Sequence, residues 1–117
     1  MSLIYHLVLV KRWQAWPKNT PYLPAEYEKD GFIHCTAGDE LLLKVANRFC
    51  RQIEGDFVLL VIDTTKLSSP VKWEHYSDEI LDSIFPHIYG PIQPDAIVEV
   101  HQMQRTADGT FVGWSKS

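Results

Sequence analysis

Cysteine, positive charge and long apolar runs are all scarce in this sequence, and each shortage removes a class of function. The two cysteines, Cys35 and Cys50, lack the paired spacing of a metal knuckle. Both fall on apolar faces and read as buried thiols rather than a bridge. The formal charge is −4 and the isoelectric point about 5.6. An extended nucleic-acid footprint, which needs a basic face, is therefore not expected, whereas a single bound nucleotide is compatible with that charge. The longest apolar run, Phe57 to Ile62, is far too short to cross a bilayer. No basic segment followed by an apolar stretch and a cleavage site opens the chain, so no membrane partner and a cytoplasmic location are expected. Glycine-rich phosphate loops and a Gly-x-Ser-x-Gly elbow are also missing, which leaves P-loop and nucleophile-elbow mechanisms without support.

What is present is the composition of one folded domain. The 117 residues are 45% apolar and 22% charged, close to the globular average, and are read as a single domain over 1–117. The most informative stretch runs from Gly31 to Arg51. Phe32, Ile33, His34 and Cys35 form a short strand, and Thr36 and Asp39 have the spacing of a capping box, which predicts a helix beginning at Thr36. Leu42, Val45, Ala46, Phe49 and Cys50 recur at three- and four-residue intervals and form its core stripe. A histidine at the mouth of that helix favours an anion or a polarised oxygen.

Around this unit the chain reads mostly as strands. Leu3 to Val10 is a central strand interrupted by His6, Lys11 to Trp16 a short helix stopped by Pro17, and Lys18 to Pro24 an irregular loop. Phe57 to Ile62 is a fully buried strand. Val71 to Tyr76 alternates like a half-exposed strand, and Ser77 to Ser83 is polar and fits a helical turn. Phe85 to Pro91 is a short apolar strand bracketed by prolines, expected at an edge or at the approach to a bend. Ile97 to Met103 and Thr110 to Trp114 flank an Asp-Gly turn and predict a hairpin. Few helices, not alternating regularly with strands, give an α+β class with a mixed or antiparallel sheet.

Of five histidines, His6, His34 and His87 lie inside apolar strands. On strand parity His6 shares a face with Ile4 and Val8, His34 with Phe32, and His87 with Phe85 and Tyr89. His75 and His101 are expected to be exposed. Three readings of the inner trio remain open. They are separate core histidines satisfied by carbonyls, or ligands of zinc or another divalent metal, or hydrogen-bonding groups of a nucleotide or sugar-phosphate pocket with Thr36 and the helix end nearby. Among acidic residues only Glu74 and Glu79 are considered for acid–base work, and as solvated surface charges both have a simpler explanation.

Five motifs occur in order from Leu3 to about Val100: Ile4-Tyr5-His6-Leu7, Gly31-Phe32-Ile33-His34-Cys35-Thr36, Val45-Ala46-Asn47-Arg48-Phe49, Leu59-Leu60-Val61-Ile62-Asp63 and Phe85-Pro86-His87-Ile88-Tyr89-Gly90-Pro91. Together they resemble the small bacterial and plant family called domain of unknown function 952. The resemblance implies a fold of the ADP-ribosyltransferase type, with two half-sheets around a cleft that holds NAD. It matches His6 to the histidine expected to contact the adenosine ribose. Phe32 to His34 stand where the resemblance implies a tyrosine-bearing strand, and His87 where it implies a glutamate. The candidate site is accordingly His6, His34 and His87 as catalytic groups, and Thr36, Tyr89 and Glu74 as substrate-binding groups. A small-molecule ligand is expected and NAD is the candidate cofactor. The oligomeric state is left open.

Overall fold

A computed structural model describes residues 2–116. Seven strands and three α-helices follow one another as β1 (Leu3–Leu9), α1 (Val10–Ala15), α2 (Tyr27–Asp30), β2 (Ile33–His34), α3 (Asp39–Phe49), β3 (Phe57–Asp63), β4 (Val71–Ser77), β5 (Asp82–Ile88), β6 (Ile97–Arg105) and β7 (Phe111–Lys116). The strands form two antiparallel sheets, one ordered β1-β3-β6-β7 and the other β2-β5-β4. The architecture is α+β, as the sequence predicts. No helix among the described residues is long and apolar enough to cross a membrane.

β3 is apolar on both faces because it is covered on both. Val58, Leu60 and Ile62 pack with Ile4, Val8, Tyr22, Ile33, Ile88 and Ile92, while Phe57 and Leu59 pack with Leu42 and Ala46 of α3 and with Met103 and Phe111. Period-two alternation therefore distributes one strand between two clusters. The hairpin β6–β7 closes as expected, with Thr106 N donating to Thr110 O and Gly109 N to Thr106 O.

Three local expectations are corrected. The main helix starts at Asp39 with Gly38 as its N-cap, not at Thr36, and no side chain caps it. Thr36 is already committed elsewhere: its backbone exchanges hydrogen bonds of 2.8 and 2.9 Å with Tyr5 and so ties the β2 segment to β1. Asp39 accepts the Tyr5 hydroxyl at 2.6 Å instead of closing a capping box. Ser77 to Ser83 is not helical. The Asp78 carboxylate accepts the Ile80 and Leu81 N–H groups at 2.8 and 2.7 Å, forming a turn from which β5 begins at Asp82. Finally, of the two places expected for β5, it is not an edge but the middle strand of its sheet, and it does lead into a bend at Tyr89 and Gly90. Pro86 is tolerated because its carbonyl faces Cys35 N at 3.2 Å, so its missing N–H also falls on the β2 side and not in the ladder with β4.

Candidate functional site

The two sheets part to leave a cleft of about 660 Å³. β1 supplies Tyr5 and His6, the β2 segment supplies Phe32, His34 and Thr36, α3 an apolar wall including Leu42, Val45 and Phe49, and the β4–β5 sheet Glu74, Phe85 and His87, with Tyr89 just beyond. All six residues singled out from the sequence line this one cavity.

A polar cluster of the cleft lies on the β4–β5 pair. Glu74 stands opposite Phe85, so His87 is its diagonal neighbour on the same face, and Tyr89 follows two residues later. Glu74 Oε1 accepts His87 Nδ1–H at 2.8 Å and the Tyr89 hydroxyl at 2.5 Å. These two donors, Tyr89 before His87, hold the Glu74 carboxyl below its ordinary value, while the same bond pushes the Tyr89 phenol up. Glu74 is therefore ionised at neutral pH. Lys72 Nζ lies 4.8 Å from the centre of the Tyr89 ring.

Phe32 forms a platform over this cluster. Its ring stacks on His87 at 4.1 Å and 24°, and lies 4.6 Å from the His34 ring and 5.4 Å from Tyr89. His34 Nε2 donates to Asp30 Oδ2 at 3.1 Å, and its ring centre is 5.4 Å from that of His87. The expected burial of His34 is corrected: its side chain is 62% exposed, because β2 is a two-residue strand at the rim of its sheet.

His6 is buried, 9% exposed, as its parity predicts. Its Nδ1 lies 2.6 Å from the backbone oxygen of His34. A carbonyl only accepts, so Nδ1 carries the proton. Burial lowers the His6 pKa from 6.5 and outweighs that bond, so the ring is neutral and Nε2 holds a lone pair. Nε2 has no hydrogen-bond partner among the described residues, nor has Oγ1 of Thr36, which is 4% exposed.

The trio does not converge as ligands. His6 is tied to a carbonyl, His34 to Asp30 and His87 to Glu74. No group of three His, Cys, Asp or Glu among the described residues is arranged to hold a metal ion. His101, expected to be exposed, is buried at 5%, since it pairs with Leu59 of the central strand; its Nε2 lies 2.7 Å from Glu99. His75 is exposed as expected. Glu79 is exposed and not part of the cleft lining. Cys35 is buried, with a thiol pushed far up by burial, whereas Cys50 is only half-buried. Sequence reasoning missed Phe32 as a platform and Asp30 as the partner of His34, although the four-residue spacing of Asp30 and His34 across a helix end was available as a signal.

Comparison with curated proteins gave no significant match. Among solved structures, the crystal structure of protein CC0527 from Caulobacter crescentus is similar, at 28% identity over 95% of this chain and 94% of that one, with a TM-score of 0.77. A double mutant of CC0527 matches equally, with the same identity, coverage and TM-score of 0.77. The sequence profile of the family described as "Protein of unknown function (DUF952)" matches residues 7–100. With most of its length inside that match, the chain belongs to the DUF952 family.

Proposed function

We propose that the cleft binds a nucleotide-like small molecule of the NAD or ADP-ribose type and that the domain is an ADP-ribosyltransferase-like one, acting on the ribosyl bond of that ligand. The observation that carries this reading is the ionised Glu74 carboxylate, fixed by Tyr89 and His87 inside a cleft between two sheets. A carboxylate held in this way opposes the positive charge that develops on a ribosyl carbon as the bond to the leaving ring breaks and the bond to an incoming nucleophile forms. It stands on β4, next to the strand position where the resemblance implies a glutamate and the chain has His87.

The other lining residues fit the nucleoside part of such a ligand. Phe32 offers a face for a flat ring. His6 Nε2 accepts a ribose hydroxyl proton, and Thr36 Oγ1 donates or accepts beside it. In this reading His34 or His87, each bonded to a carboxylate, takes the proton of the nucleophile. Calorimetry with NAD and ADP-ribose tests the reading. Saturable binding that weakens at least tenfold in both Phe32→Ala and Glu74→Gln is expected. No heat from either ligand with a folded protein refutes it, and binding without turnover of NAD leaves a binding domain rather than a transferase.

A further inference from the structure

The cleft lining combines carboxylates, histidines and aromatic rings. Glu26, Asp30 and Glu74 line the cleft, and among the described residues no lysine or arginine does; Lys72 lies over the Tyr89 ring, and Arg105 behind the cleft is committed to the backbone carbonyls of Cys50 and Ile53. Phosphate groups are ordinarily held by arginine, lysine or a row of backbone N–H groups, and three carboxylates repel them. Aromatic faces next to carboxylates instead attract positively charged organic groups. Independently of this charge pattern, two side chains more than nine-tenths buried line the cavity with an unused polar atom, His6 Nε2 and Thr36 Oγ1. With its proton on Nδ1, His6 can only accept at Nε2, so the occupant must bring a donor such as a hydroxyl or an amino group.

We infer that the part of the ligand the cleft recognises is a phosphate-free nucleoside moiety with a positively charged ring, its ring on Phe32 beside Glu74 and a donor group at His6 and Thr36, while any phosphates project into solvent. This deepens the nucleotide reading above and rests on it. The ligand panel consists of adenosine, its 1-methyl derivative, which is cationic at neutral pH, the 5′-monophosphates of both, and NAD with its reduced, ring-neutral form.

In calorimetry the cationic member of at least one pair binds about tenfold or more tightly than its neutral counterpart, and removing the 5′-phosphate changes affinity by less than about threefold. Glu74→Gln removes the preference for the cation. Asp30→Asn, a second variant that leaves the Glu74 cluster untouched, reduces it, and Glu79→Gln outside the cleft leaves it unchanged. Thermal melts establish that each variant is folded. Equal binding of charged and neutral rings, or a phosphate contribution above about thirtyfold, overturns the inference while leaving the nucleotide reading standing. Absence of binding by every member of the panel overturns both.

Discussion

Replacing His6 by asparagine isolates the titration of one buried imidazole. The asparagine amide can reproduce the Nδ1–H bond to the His34 carbonyl, which spans 2.6 Å in the native protein, but it does not titrate. Native His6 has a pKa lowered from 6.5, mainly by burial. The unfolded chain therefore takes up a proton as pH falls through 6.5 while the folded chain does not. The stability due to the neutral ring is fully present above 6.5 and is lost progressively as pH falls toward the folded value. Between 6.5 and the lowered folded value, the loss approaches the one-proton limit of about 1.4 kcal/mol per pH unit. Urea unfolding of both proteins between pH 8 and pH 5 checks this, because every other histidine contributes alike and cancels in the difference. Between pH 8 and pH 5 the native protein loses more stability than His6→Asn does, and the difference opens only below about 6.5. Parallel pH profiles would refute the assignment of a neutral, burial-depressed His6.

Tyr89→Phe removes the first cause of the lowered Glu74 pKa, so the Glu74 titration midpoint in carboxyl NMR rises toward 4.5; an unchanged midpoint contradicts the shared Oε1. Arg105→Lys breaks a fork in which the guanidinium donates to the carbonyls of Cys50, Arg51, Ile53, Gly55 and Gly109. At a net 0.5–1.5 kcal/mol per lost bond the expected cost is about 2–3 kcal/mol, or roughly 10 °C in Tm by calorimetry. Cys35, whose burial strongly disfavours the thiolate, stays unreactive toward a thiol reagent in the native protein at pH 8 and reacts on unfolding in urea.

What could be read from the sequence follows the range of the interactions involved. β1, β3 and the β6–β7 hairpin were legible because strand alternation and an Asp-Gly turn are local signals. The core stripe of α3 was legible for the same reason, with Leu42 and Ala46 buried as its periodicity predicts. The helix start was not, since the local capping box lost to a backbone bridge between Thr36 and Tyr5, residues far apart in sequence. His101 followed the alternation of its own strand, yet its burial depends on lying opposite Leu59. His6, His34, His87, Thr36, Tyr89 and Glu74 were legible as candidates, and the fold places them on the wall of one cavity. The Glu74–His87–Tyr89 cluster was not visible as a unit because it exists only in the register that sets Glu74 opposite Phe85.

The cleft and the fold share the contacts that β1 makes with the β2 segment. Of the contacts described above, two join the sheets beside the cleft, and both belong to adjacent residues of β1. Tyr5 bonds the Thr36 backbone in both directions, and His6 reaches the His34 carbonyl. Those partners are themselves cleft residues. Whatever donates a hydrogen bond to His6 Nε2 polarises the imidazole and strengthens its Nδ1–H bond to His34, since hydrogen bonds in series reinforce one another. A ligand that donates to His6 in the proposed way would thus tighten the seam between the sheets. Because that seam forms only in the folded state, a ligand seated on His6 raises the stability of the whole domain through His6 as well as through its own contacts.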